Sequence, residues 1–146
     1  MKNNSPVKVT FYCVKDNSAK IQLICTKAQE AFQHEKRLLI AVPNFQAAQY
    51  IDNLLWRIPE ESFIPHIIAD APTAEWIAIT MQDQQNVNQA ARLLNLCSTP
   101  SALYQQVEEV YDLYDETHPQ KKDLSQQRLR LYQAKGLLVK SEGNLS

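Results

Sequence analysis

Ser62, His66 and Asp70 carry the nucleophile, base and orienting acid of a hydrolase triad at i, i+4 and i+8. Those offsets bring three side chains onto one face only in a helix, and Pro65, directly before His66, breaks one. The set reads as coincidence. Glu60 and Glu61 are adjacent carboxylates, which in a strand point to opposite sides and in a loop are solvated, so they form no general acid and base pair. The acidic run Glu108, Glu109, Asp112, Asp115 and Glu116 offers oxygens to a cation but lacks the spacing of a calcium loop, and reads as a solvated face. His34, His66 and His118 are too far apart for a compact zinc motif, and Cys13, Cys25 and Cys97 include no C-x-x-C pair. Neither metal nor cofactor is expected. The two glycines, Gly136 and Gly143, lie near the end of the chain, where neither G-x-G-x-x-G nor a P-loop can be built.

Two stretches remain with surface chemistry of a different kind. In Leu54-Leu55-Trp56-Arg57-Ile58-Pro59-Glu60-Glu61-Ser62-Phe63-Ile64-Pro65-His66 an apolar helix end runs into a Trp and a Phe held around two prolines. Each proline fixes φ and pushes its predecessor toward extended geometry, so this corner presents its side chains at little entropic cost. The residue types allow either a docking corner, with Trp56 and Phe63 as anchors, or ordinary core. The second stretch runs from Thr117 to Ser146, with six Lys or Arg against Asp123 and Glu142, a local net of +4 in a chain of −1. Lys and Arg beside Leu129 and Tyr132 suit a short acidic peptide ending in a hydrophobic residue and a free carboxylate. A helix that is merely soluble has the same composition.

The 146 residues fit one domain, 1–146, able to bury well over half of its unfolded surface without staples. Near-neutral charge argues against strong direct DNA binding. Scattered cysteines suit free thiols in a reducing compartment, and no run approaches a membrane span, so a soluble, cytoplasmic protein is expected.

The elements follow from periodicity. Residues 7–14 are β-branched and aromatic and stop at the cap signal Asp16-Asn17-Ser18, which predicts a first strand. Ile21, Ile24, Cys25, Ala28, Ala31 and Phe32 share one helical face. Leu38 to Val42 is an unbroken apolar run closed by Pro43, as in a parallel strand buried on both sides. From Asn44, an N-cap, Ala47, Ala48, Ile51, Leu54 and Leu55 mark a second helix. Residues 63–68 predict a short strand placed at an edge or made irregular by Pro65, and 76–79 a further strand. The connection from Gln82 to Gln89 reads as solvated. Helix and strand both fit 87–97, and both fit 108–114. Thr99-Pro100 predicts the start of a short helix to Val107. The terminal helix is expected over Lys121 to Lys135, stopped by Gly136, with Leu124, Gln127, Leu131 and Ala134 toward the sheet and Lys121, Arg128, Tyr132 and Lys135 as a second stripe.

The corner, with its Leu-Trp, Pro and Glu-Ser-Phe-Ile-Pro-His, resembles that of the chi subunit of bacterial DNA polymerase III. The Val9-Thr10-Phe11-Tyr12 strand and the Arg128-Leu129-Arg130-Leu131-Tyr132 helix before Gly136 agree in order and spacing. The resemblance implies a single mostly parallel α/β fold flanked by helices, Rossmann-like without a glycine-rich loop, and a strand from Leu93. It implies a non-catalytic adaptor in DNA replication that joins the clamp loader, through the psi subunit, to the C-terminal tail of single-stranded-DNA-binding protein, touching DNA only indirectly. Trp56 and Phe63, with Leu55 and Ile64, would meet psi. The family's basic positions fall on Lys122 and Arg130, with Leu129 between them; Gln126 and Leu129 stand where relatives often have an Arg and an aromatic, and Arg128 with Tyr132 on the neighbouring stripe would compensate. A small α/β hydrolase or transferase, or a direct single-stranded-DNA binder, are the competing classes. The first needs a cleft with a perturbed titratable group, and the second a basic groove with stacked aromatics.

Overall fold

The computed structural model describes residues 6–57, 64–81 and 85–142. Seven strands form one sheet: β1 (Lys8–Val14), β2 (Leu38–Val42), β3 (His66–Ile68), β4 (Ile77–Met81), β5 (Arg92–Asn95), β6 (Glu109–Asp115) and β7 (Leu138–Glu142). Their order is β3-β4-β2-β5-β6-β1-β7 and every adjacent pair is parallel. Three helices, α1 (Asn17–Gln33), α2 (Phe45–Arg57) and α3 (Pro119–Ala134), connect them. The fold is α/β, as the β-α-β spacing and the chi resemblance imply.

Strand periodicity sorts the core into two layers. Leu38, Ile40, Val42, Ile77 and Ile79 face α1 and α2, which contribute Ile24, Ala28, Ile51, Leu54 and Leu55. Val9, Phe11, Leu39, Ala78, Leu93 and Val110 face the other way, toward α3 and the segment 85–107. Leu38 to Val42 are all buried because β2 is central and covered on both sides.

The caps read from sequence are made. The Asp16 side chain accepts from the Ala19 N–H at 2.7 Å and Asn44 accepts from Ala47 at 2.8 Å, each satisfying an orphan donor of a first turn. Gly136 takes φ +79°; its N–H donates to the Gln133 carbonyl and that of Leu137 to Tyr132, the paired bonds of a Schellman stop. β3 is the edge strand that Pro65 called for, and 92–95 and 109–115 are both strands.

Three expectations are corrected and one strand is new. The short helix from Pro100 is only a single 3₁₀ turn, Tyr104–Gln106. Within the connection read as solvated, Val87 and Asn88 are buried: Val87 joins the core, and the Asn88 amide donates to the Leu38 and Glu75 carbonyls at 3.2 and 3.1 Å. β7, which no reading of the sequence anticipated, pairs with β1 at the edge opposite β3. The inward face of α3 is Ser125, Arg128 and Tyr132, while Leu124 and Leu131 are 36% and 49% exposed.

Candidate functional site

α2 carries its apolar positions inward and ends on Leu54, Leu55 and Trp56. The two leucines are buried and Trp56, one position on and therefore about 100° around the helix, is 49% exposed. Its indole lies 4.3 Å from the His66 ring, tilted by 47°. His66 is buried with both ring nitrogens against oxygens: Nδ1 is 2.7 Å from the Ile64 carbonyl, and Nε2 is 3.0 Å from the Asp52 carbonyl and 3.1 Å from its carboxylate. The imidazole is thus a fixed plate tying α2 to the start of β3, with Trp56 resting on it. Ile67, on the next residue of β3, is also exposed, and β3 pairs with β4 alone because it ends the sheet. An exposed indole beside a strand that has no second partner among the described residues is surface of the kind that partners cover. Leu55 and Ile64, at 1% exposure each, belong to the core and are removed from the expected contact set. Phe63 lies outside the described residues, as does Ser62. Among the described residues His66 has its nitrogens against Ile64 and Asp52, and Asp70 is exposed after β3 rather than orienting the ring.

The second expected site divides. Arg128 is 6% exposed and its Nε donates to Asp112 at 3.0 Å, Nη2 to the Leu113 carbonyl at 2.9 Å and Nη1 to that of Ser98 at 3.3 Å. Tyr132 is fully buried; its hydroxyl donates to Asp112 at 2.9 Å and accepts from the Ser101 N–H at 3.2 Å. Asn95 donates to the same carboxylate at 3.0 Å and the Leu113 N–H at 2.7 Å. Asp112 therefore sits under four donors. Burial pushes its carboxyl up from the ordinary range, against Arg128, Asn95 and Tyr132 pulling down; burial and the Asp112 charge together raise the Tyr132 phenol. Arg128 and Tyr132 are hence structural, fastening α3 to β5 and β6, and are withdrawn as contacts for a peptide.

Elsewhere on α3, Lys122 is half-buried, Leu129 is half-buried with part of its side chain against the core, and Arg130 is exposed. Lys122 lies 3.4 Å from Glu116, which also accepts from the Cys13 thiol at 2.8 Å. Burial and that bond push Cys13 up to about 11, so it is a poor nucleophile at neutral pH. The acidic run is not a solvated face. Asp112 and Asp115 are buried in pairs with Arg128 and with Lys20 at 2.8 Å, and Glu109 lies 3.6 Å from Arg92. Among the described residues no cluster has the make-up of a metal site. Sequence reasoning missed this network; its signal was Asp112 at the middle of β6, flanked on both sides by Val110, Tyr111, Leu113 and Tyr114.

Fold and sites define a parallel α/β protein whose buried charges are spent on holding it together and whose candidate sites are exposed surfaces. Residues 7–140 match the family described as DNA polymerase III chi subunit, HolC, and the chain belongs to that family. It is 39% identical over 66 residues to DNA polymerase III subunit chi of Escherichia coli (strain K12), a match spanning 41% of this chain and 45% of that protein. To the Pseudomonas aeruginosa (strain ATCC 15692) protein of the same name it is 24% identical over 131 residues, spanning 88% of this chain and 91% of that one. The chain is thus a replication accessory subunit and not an enzyme on its own. No described helix is long and apolar enough to cross a membrane.

Proposed function

We propose that this chain is a cytoplasmic adaptor with two docking sites at separate places on the fold, one for psi at the α2–β3 corner and one for the C-terminal tail of single-stranded-DNA-binding protein on α3. The observation that carries the reading is Trp56, half exposed at the end of α2 and packed against His66 beside β3, while Ile51, Leu54 and Leu55 of the same helix are buried. Leaving an indole in water is unfavourable by roughly 25 cal/mol per Å² of apolar surface, which a hydrophobic partner removes. Phe63 is proposed to join it. At the second site Lys122, Leu129 and Arg130 supply two cations around an apolar side chain. The tail's carboxylates would compete with Glu116 for Lys122, so Arg130 is the stronger anchor. Through these contacts the chain would link the clamp loader to DNA-bound protein and meet DNA only indirectly.

Co-elution with psi tests the corner. Trp56→Ala should weaken psi binding by about 2 kcal/mol or more, roughly thirtyfold, while leaving tail binding intact. Undiminished psi binding by a folded Trp56→Ala chain contradicts the corner assignment.

A further inference from the structure

The chain leaves β2 through α2 toward β3 on one face of the sheet and leaves β5 through 96–108 toward β6 on the other, although β2 and β5 are neighbours. Adjacent strands whose connections depart in opposite directions open a crevice beyond their carboxyl ends, the place where open α/β sheets bind ligands. Here it is a cleft of about 770 Å³, within the range of small-molecule sites, floored by Val42, Asn95 and Leu113 and walled by α1, α2 and α3. It is neither of the two docking sites: Trp56, Lys122 and Arg130 do not line it.

The lining sets the ligand's chemistry. Ile21, Ile24, Ala47, Ile51, Leu96 and Leu124 supply apolar walls, and the exposed Tyr50 ring stands among them. Three cations, Lys20, Lys121 and Arg128, face one anion, Asp115, in a chain of net charge −1. Lys20 is held by Asp115 and Arg128 by Asp112, so Lys121 is the cation at the rim without an ion-pair partner among the described residues. The first turns of α1, α2 and α3 reach the cleft through Asn17, Ala47 and Lys121, adding the positive ends of three helix dipoles. No glycine stands there to let backbone wrap a pyrophosphate, which restricts the charge to a single anionic group. Beneath, the Asp112 network fixes Asn95 and Arg128, so the floor is rigid before any ligand arrives.

We propose that this cleft is a binding site for a small amphipathic anion, a molecule with an aromatic or otherwise apolar body and one phosphate or carboxylate. The body lies against Tyr50, Ile21 and Leu124, and the anion meets Lys121.

Phenyl phosphate titrated into the full chain, followed by amide chemical shifts, tests this. Saturable shifts are expected at Ile21, Ala47, Cys97 and Lys121, with phenol, the neutral body alone, binding several-fold more weakly. Lys121→Ser, an exposed change that leaves the fold intact, should weaken phenyl phosphate about fivefold, the worth of one exposed charge, and leave phenol unchanged. Ala47→Phe, which fills the cleft, should abolish both, with the spectrum of β1 and β7 unaltered. 3-Phenylpropionate in place of phenyl phosphate separates the two sources of charge: binding at least as tight marks a site that accepts a carboxylate, and weaker binding one that prefers a phosphate. Shifts that scatter over the surface or never saturate overturn the proposal, as does phenol binding as tightly as phenyl phosphate, or a Lys121→Ser chain that binds both anions like the wild type.

Discussion

α2 and α3 are both amphipathic helices on the sheet, and they turn opposite kinds of residue inward. α2 buries Ile51, Leu54 and Leu55 and leaves Trp56 outside; α3 buries Ser125, Arg128 and Tyr132 and leaves Leu124 and Leu131 outside. Under α2 the sheet presents Ile40, Ile77 and Ile79, so hydrophobic burial decides the orientation. Under α3 it presents Asp112 among Phe11 and Val110, and a buried carboxylate without donors costs far more than two leucines left half in water. An apolar stripe thus gives the inward face of a helix only where the opposing layer is apolar as well. Where a charge is buried opposite, the residues that can satisfy it turn in.

The largest expected effect separates the two helices most sharply. Asp112→Leu strands the Arg128 guanidinium in the core and should cost about 3–5 kcal/mol in urea unfolding, whereas the double variant Asp112→Leu/Arg128→Met should recover most of that loss. If the single variant is as stable as the wild type, the polar face of α3 is not what orients it.

Gly136→Ala comes next. Nothing lies within 4 Å of a Cβ there, so packing is unaffected, but φ of +79° strains any side chain. A loss of about 1 kcal/mol is expected from calorimetry. An unchanged midpoint would mean that the turn between α3 and β7 relaxes freely.

The smallest effect is in acid. Burial drives the Asp115 carboxyl up, but Lys20 and two hydrogen bonds from Thr117 outweigh it and hold the group below the usual carboxylate range. With the folded pKa below the unfolded one, its contribution is complete above about pH 4 and is lost as pH falls through the folded value. Lys20→Met should reduce that acid-sensitive part, leaving the share of Thr117, and make stability less steep between about pH 4 and 2, by less than about 1 kcal/mol because the Lys20 ammonium stays partly in water. An unaltered acid profile would assign the dependence to other carboxylates.

Much of the fold was legible because β2, α1 and α2 have a single periodic explanation and caps at Asp16 and Asn44 to bound them. Pro65 left β3 either at an edge or irregular, and the structure places it at the edge. β7 was not legible, since Leu138-Val139-Lys140-Ser141-Glu142 has one half-buried apolar side chain and owes its place to β1's open edge. Of the sites, the exposure of Trp56 is consistent with the docking alternative left open at the corner. Leu55 and Ile64 enter the psi contact set only through the chi resemblance, whereas the periodicity of α2 already places Leu55 on its inward face, where the structure has it. Arg128 and Tyr132 were misread for a deeper reason: an acidic run looks solvated in sequence, and nothing in a strand's own residues says that a distant helix will supply the counter-charge.

The two arginines of α3 carry the central claim, that Arg128 is consumed inside the fold and Arg130 is free to bind. Calorimetric titration of an acidic tail peptide with a hydrophobic carboxyl-terminal residue into the Arg130→Ala chain tests it directly. The account predicts several-fold weaker binding in a chain that unfolds at the wild-type urea midpoint. Wild-type affinity for the peptide in that chain would contradict it.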